Sequence, residues 1–455
     1  MIGSWDLSEL QKQFGGECTQ DGVFTHVSTD TRTIRQGDIF VALVGPNFDG
    51  HKFVEQAIEK GAVAAVVSRK LALDIPQWVV TDTRIALGQI GLANRQRFAG
   101  DVYAITGSSG KTTVKEMLHS ILKQNNEVLA TKGNLNNDIG VPLTLFELGD
   151  EHQVAVIEQG ASARGEIAYT TALSLPDVAV LNNAMGAHLE GFGSLQGVVE
   201  AKGEIFSRLA ENNGTAIINL DDPHCDYWLE LNKNNRYLTF SLTNNCADIY
   251  ASDISASENG CYQFVLHYQQ EYVEVQLSVM GKHNVANALA AAAAVIAQGM
   301  ELREIATGLQ AFKAVPGRMC PSKSLNGALV IDDSYNANPG SVKAAIDLLV
   351  SLPGESVLVL GDMAELGDDE IAQHKEVGCR AAQKGTTSLW ATGALSRHSV
   401  SAYQAEEGLD GRFFESKDEL IEALSAKAVT GVNVLIKGSR SAGMDQVVKR
   451  LTAGE

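Results

Sequence analysis

The chain has 455 residues, 45% of them hydrophobic, and its 36 basic against 55 acidic side chains give a net charge of -19. At roughly 150 residues per domain this is about three domains with sizeable buried cores. The acidic balance argues against nucleic acid and anionic membrane surfaces as long-range partners, so an anionic substrate must meet a locally basic pocket.

The opening MIGSWDLSELQKQF carries Asp6, Glu9 and Lys12 where a secretory signal needs an unbroken apolar core. The longest small-apolar run, Ala288 to Ala297, falls well short of the roughly 20 residues that span a bilayer. Cys18, Cys225, Cys246, Cys261, Cys320 and Cys379 show no C-x-x-C spacing, so neither a zinc ribbon nor a disulfide framework is expected. A cytoplasmic protein that is not membrane-embedded is the expectation.

Apolar runs that end in polar, glycine-rich loops alternate with helical periodicity, which predicts an α/β chain with mostly parallel strands. A first small α/β unit closes at VVTDTR, near Asp82. The strand candidates DVYAI, VAVIE, VAVLNN and TAIIN follow, then the period-two stretch CYQFVLHYQQEYVEVQLSV, which predicts antiparallel strands decorating the central unit. Past an alanine-rich helix and a boundary at KAVPGR come ALVIDD, VLVLGD and VNVLIKG. The predicted domains are residues 1–82, 83–314 and 315–455.

The first chemical signal is TGSSGKTT, Thr106 to Thr113, between DVYAI and a stretch in which Val114, Met117, Leu118, Ile121 and Leu122 recur at helical spacing. Strand, glycine loop and helix in that order make a phosphate cradle. Gly107, Ser108, Ser109 and Gly110 turn backbone N–H groups toward phosphate oxygens, Lys111 supplies a cation, and Thr112, followed by Thr113, offers a hydroxyl to magnesium. The cradle is shorter than G-x-x-x-x-G-K-[ST], since Ile105 stands where the first glycine should be.

Glu158 ends one strand and His188 follows another, at the sheet edge where α/β ligand sites lie. A hard cation takes carboxylate oxygen, which makes Glu158 a candidate ligand, although a strand-end glutamate is as readily solvated. Lys202, in AKGEIF, reads by itself as a solvated helix lysine. In GKHNVANALAA, His283 and Asn287 share one helix face and Asn284 is expected to cap the helix, on a surface that also suits a purine or ribose. Arg318 follows the boundary and can meet a γ-phosphate when the domains close. Asp333, Tyr335, Asn336 and Asn338 in DDSYNANP, and Lys437, Ser439 and Arg440 in KGSRSAGM, follow strands and form a second polar surface.

Taken together, TGSSGKT, GNLNNDIGVP, AHLEGFGS, AKGEIF, GKHNVANALAA, PGRM, DDSYNANP and KGSRSAGM, with the first-domain run STDTRTIRQGDIFVALVGPNFDGHKF, resemble the Mur ligase family of peptidoglycan synthesis over essentially the whole chain. The family's own phosphate loop is the shorter form. The resemblance implies a UDP-binding N-terminal domain, a central P-loop ATPase-like domain and a Rossmann-like C-terminal domain. Ser28, Thr29, Arg32 and the Asp49 to His51 segment fall in the uridine-nucleotide region. Asn136 and Asn137 join the substrate set, with Lys437, Ser439 and Arg440. Thr112, Glu158, His188 and Lys202 correspond to metal-site positions, Lys202 as the lysine that sister enzymes carbamylate. His283, Asn284, Asn287, Arg318, Asp333, Tyr335 and Asn336 correspond to nucleotide-contacting positions, and Lys111, Lys202, His188 and Arg318 to the catalytic set.

GSSGKT, NLNND and DDSYNANP favour the branch that adds a dipeptide. The implied activity joins D-alanyl-D-alanine to UDP-N-acetylmuramoyl-tripeptide with ATP and two magnesium ions, in a monomer. One departure is IEQG, Ile157 to Gly160, where IELG or IEMG is expected. Competing readings are another Mur-type or folylpolyglutamate synthetase-like ligase and, from a different class, a P-loop nucleotide switch. The absence of a clear N-K-x-D loop disfavours a GTP switch.

Overall fold

The computed structural model describes residues 1–185, 189–257, 260–405 and 409–452; His188 lies outside them. Three main sheets follow one another along the chain. The first has five strands, in the order Glu17–Cys18, Gln77–Val79, Ala64–Val67, Asp38–Val41, His26–Ser28, all parallel except the first pair. Asp82 caps the helix Thr83–Arg97 by accepting from the N–H groups of Arg84 and Ile85. That helix straddles two cores. Ala86, Leu87, Ile90 and Ala93 pack into the first unit, while Leu92 leans on the core around Leu145 and Ile157.

The central sheet has nine strands, in the order Val128–Ala130, Val154–Glu158, Asp101–Thr106, Val178–Leu181, Thr215–Asn219, Arg236–Ser241, Ile249–Ala256, Cys261–Tyr268, Glu271–Met280. The first seven run parallel and the last two close it as antiparallel strands, so the period-two segment extends the central sheet itself. Strand Asp101–Thr106 lies between strands that come later in the chain on both sides, a topological switch point, and the phosphate loop leaves its C-terminal end there.

The alanine-rich helix His283–Ile296 is buried almost all round, with Ala288 through Val295 fully covered. Its small side chains let it lie against both the sheet and the helix Lys111–Leu122 in one apolar core. Asn284 does not cap it. Lys282 holds the cap position with no side-chain bond, and the Asn284 amide instead donates to the Met280 carbonyl at 2.7 Å, because Asn284 is buried and its amide must find an acceptor there.

The third sheet has six strands, in the order Cys320–Lys323, Leu329–Asp333, Val432–Lys437, Glu355–Leu360, Ser388–Thr392, Asp410–Phe414, parallel after the first pair. Met280, at the end of the central sheet, packs into this unit's core beside Leu348 and Leu352. Among the described residues, no helix is long and apolar enough to cross a membrane.

Candidate active site

A cleft of about 840 Å³ opens between the C-terminal strand ends of the central and third sheets. Its floor is the phosphate loop. Gly110, with a left-handed φ of 80°, precedes the helix Lys111–Leu122, and a Cβ there would lie 2.4 Å from the Asn182 amide and 2.5 Å from that of Asn287. Glycine is required by both backbone and space. Lys111 donates to the Gly107 carbonyl at 2.6 Å, so its ammonium curls over the loop, and burial lowers its pKa against the opposing pull of Glu158.

Glu158 is buried rather than solvated. Its carboxylate accepts from the Thr112 hydroxyl at 2.9 Å and from the Asn136 amide at 2.8 Å. From across the cleft the Arg318 guanidinium donates to the same Thr112 hydroxyl at 2.9 Å, its carbon 4.3 Å from the centre of the Tyr335 ring. Residues about 200 positions apart in the chain therefore share one hydroxyl. Behind them Lys437 is ion-paired with Asp333 and donates to the Asn336 carbonyl at 2.9 Å. His283 faces this pair, and its pKa is lowered by burial.

Lys202 is 2% exposed, not a solvated lysine. Burial, then the neighbouring Lys111 charge, brings its pKa down to about 7. Among the described residues its ammonium makes no hydrogen bond or ion pair; the Phe192 ring lies 5.5 Å away. Burial of this kind favours the neutral amine over the ammonium.

The cleft thus gathers most of the expected set: the loop from Ser108 to Thr113, Asn136, Asn137, Glu158, His283, Asn284, Asn287, Arg318, Asp333, Tyr335, Asn336, Lys437 and Arg440. Ser439 is turned away and donates to the Asp362 carbonyl. Ser28, Thr29, Arg32, Asp49 and His51 stand apart, on the first unit. There, Arg32 is bound to Asp30 and Asp49 to both Arg69 and His51. His51 Nε2 accepts from the Ser68 N–H at 2.9 Å, which puts its proton on Nδ1, donated to Asp49.

Sequence reasoning missed Asn182, Asn183, Asn219 and Asp222, which also line the cleft. Each stands at or just past a strand end, the same position that singled out Glu158. VAVLNN reads as a strand in the sequence, but the strand ends at Leu181 and the two asparagines turn their amides onto the phosphate loop.

Among the described residues no three His, Cys, Asp or Glu side chains gather to hold a metal. The Thr112 hydroxyl and Glu158 carboxylate nevertheless form a hard-oxygen pair beside the phosphate loop, which suits magnesium, an ion commonly held by one or two protein oxygens together with substrate phosphates.

A phosphate loop on one α/β unit, met at hydrogen-bond distance by an arginine from another, defines a nucleotide-dependent enzyme that works between two domains. Family models then match in chain order: Mur ligase family, catalytic domain, over residues 23–95; Mur ligase middle domain over 105–295; and Mur ligase, glutamate ligase domain, over 317–440. The chain is 45% identical to the UDP-N-acetylmuramoyl-tripeptide--D-alanyl-D-alanine ligase of Escherichia coli (strain K12), covering 98% of both chains, and 37% identical to that of Bacillus subtilis (strain 168), covering 93% and 92%. A crystal structure of MurF from Acinetobacter baumannii superposes with a TM-score of 0.91 at 36% identity over 99% of each chain. MurF from Thermotoga maritima in complex with ADP gives 0.84 at 28%, over 94% and 97%. This chain belongs to the Mur ligase family. A folylpolyglutamate synthase from Mycobacterium tuberculosis, 16% identical with a TM-score of 0.65 over 82% and 95% of the two chains, shares the fold alone.

Proposed function

We propose that this chain joins D-alanyl-D-alanine to the terminal carboxylate of UDP-N-acetylmuramoyl-tripeptide at the expense of ATP, giving the pentapeptide precursor of peptidoglycan. One observation carries the reading: Arg318 of the C-terminal unit meets Thr112 of the phosphate loop, so a nucleotide cradle and a second polar surface share one cleft. Near full-length likeness to ligases named for this reaction supports it.

The first step brings the tripeptide carboxylate against the γ-phosphate and yields an acyl phosphate and ADP. The D-alanyl-D-alanine amine then attacks the acyl carbon and phosphate leaves. Two anions must approach in line, so the protein's task is neutralising charge and holding geometry. Lys111 and Arg318 supply the positive charge from opposite walls. Thr112 and Glu158, with His188, would hold magnesium, which neutralises phosphate charge when bound. His283, Asn284, Asn287, Asp333, Tyr335 and Asn336 hold the nucleotide. The uridine end lies on the first unit at Ser28, Thr29, Arg32, Asp49 and His51, and Asn136 and Asn137 face the peptide. Lys437 and Arg440 form the wall that receives the dipeptide, and Ser439, turned away to the Asp362 carbonyl, supports that wall from outside the cleft.

Lys202 takes part as a carbamate. An ammonium cannot ligate a cation, whereas the neutral amine favoured by this burial adds carbon dioxide, its nitrogen bonding to the carbon and releasing one proton to water, to become an anionic oxygen donor. In this reading the enzyme acts as a cytoplasmic monomer. The test is phosphate release with ATP, magnesium and either a diaminopimelate- or a lysine-containing tripeptide, with and without D-alanyl-D-alanine, and products weighed by mass spectrometry. Release that needs both substrates and yields a pentapeptide is expected. Release indifferent to both would move the protein to the nucleotide-switch class.

A further inference from the structure

The phosphate loop is held by two consecutive asparagines for which the proposed reaction gives no role. The Asn182 and Asn183 side-chain amides both donate to the Ser109 carbonyl, at 3.0 and 3.1 Å, and the Asn183 Oδ1 accepts from the Ser109 N–H at 2.9 Å. A carbonyl oxygen has two lone pairs, and here both are taken. The Ser109–Gly110 peptide is trans, so its N–H points opposite to its C=O. With the carbonyl turned toward the asparagines, the Gly110 N–H faces away from them, in an orientation held by those bonds.

The Asn182 amide is itself aligned. It donates a second bond, at 2.9 Å, to the Asn287 Oδ1; the Asn287 amide donates to the Asn284 Oδ1 at 2.9 Å; and the Asn284 amide donates to the Met280 carbonyl at 2.7 Å. Every bond in this series runs in the same direction, from the loop toward Met280, whose side chain packs in the core of the C-terminal unit. A backbone carbonyl can only accept, so it fixes the orientation of Asn284, and each amide then fixes the next. The three side chains are buried, so a reversed amide would set like groups against each other in a medium that penalises them strongly. At the other end, the Asn219 amide holds the Asn182 backbone carbonyl at 2.9 Å.

We infer that Asn182 and Asn183 are positioning residues that pre-set the anion-binding peptide of the phosphate loop, with their amide sense imposed through Asn287 and Asn284 from the junction with the C-terminal unit. The inference rests on the proposed use of this cleft for ATP. The experiment measures MgADP affinity by calorimetry, and KM for ATP separately from kcat, in Asn182→Asp, Asn183→Asp, Asn284→Asp and Asn284→Ala. The first two keep size but replace a donor by an acceptor opposite the Ser109 carbonyl. They are expected to weaken MgADP by about tenfold or more, the equivalent of one charge-disrupted hydrogen bond, and to raise KM for ATP while kcat at saturation and KM for the tripeptide change little.

Asn284→Asp keeps the acceptor for Asn287 and should lose less nucleotide affinity than Asn284→Ala; because Asn284 also belongs to the nucleotide set, the Asn182 and Asn183 variants decide the inference. Unchanged MgADP affinity in folded Asn182 and Asn183 variants would overturn the inference, as would an equal rise in every KM accompanied by a fall in melting temperature. If the parent enzyme forms no pentapeptide but the nucleotide affinities still separate as described, the ligase reading fails and the positioning role stands.

Discussion

The cleft and the surface of the first unit hold comparable sets of polar residues arranged in opposite ways. In the cleft, partners come from distant segments: Thr112 bonds Glu158 and Arg318, and Asn182 bonds Ser109 and Asn287. On the first unit, partners lie no more than 20 positions apart: Asp30 with Arg32, and Asp49 with His51 and Arg69. Long-range bonds among buried groups bind domains together and shape a reaction site. Short-range bonds at a surface stiffen a loop against which a ligand can lie.

The sharpest way to break this contrast is at Lys111. Its side chain makes one bond, to the Gly107 carbonyl, and packs no core. Lys111→Ala should fold normally and lose turnover by on the order of a thousandfold, as expected when a preorganised charge is removed from a transition state. A well-folded variant with near-normal pentapeptide formation would show that the cleft is not the site of phosphoryl transfer.

Lys202→Ala comes next. Activity should fall steeply and return in part with added short carboxylates such as acetate, because a diffusible acid can stand in for the lost carbamate. Full activity without rescue would make Lys202 a packing residue.

For the first unit the expected effect is smaller and of a different kind. His51→Ala leaves the Ser68 N–H without its acceptor and should cost about 1–3 kcal/mol of stability by denaturant titration. It should raise KM for the uridine-nucleotide substrate and spare kcat. A fall in kcat at unchanged KM would mean that this surface reaches the reacting atoms.

The smallest effect concerns His374, buried in the C-terminal unit, whose Nε2 accepts from the Met363 N–H at 3.0 Å. Burial lowers its pKa below the ordinary 6.5. Between 6.5 and that lower folded value, the unfolded chain binds a proton that the native state refuses, so stability declines as pH falls through this window. Thermal melts from pH 7 to 5 should show the decline, and His374→Asn should flatten it. An unaltered slope would assign the acid sensitivity elsewhere.

Much of this was legible in the chain. Strand ends, the glycine loop and the alanine helix announce themselves through period and composition, because each reflects local geometry. The IEQG departure was visible too, but not its consequence: Gln159 is fully buried, donates to the Ser174 hydroxyl and accepts from that of Thr171, tying the strand that ends at Glu158 to the helix Glu166–Ser174. Nor did local pattern distinguish Asn182 and Asn183 from strand residues, since their partners lie more than 70 positions away.

By itself, then, the sequence determined the order of the elements, the phosphate cradle and the residues available for charge, because spacing along a strand or helix is a property of neighbours. Tertiary structure alone decided which of them are buried and what faces them. Desolvation brings the Lys202 pKa to about 7. The packing of two sheets edge to edge puts Arg318 on Thr112. Dielectric surroundings and distances across a cleft depend on the whole chain at once, and no local stretch encodes them.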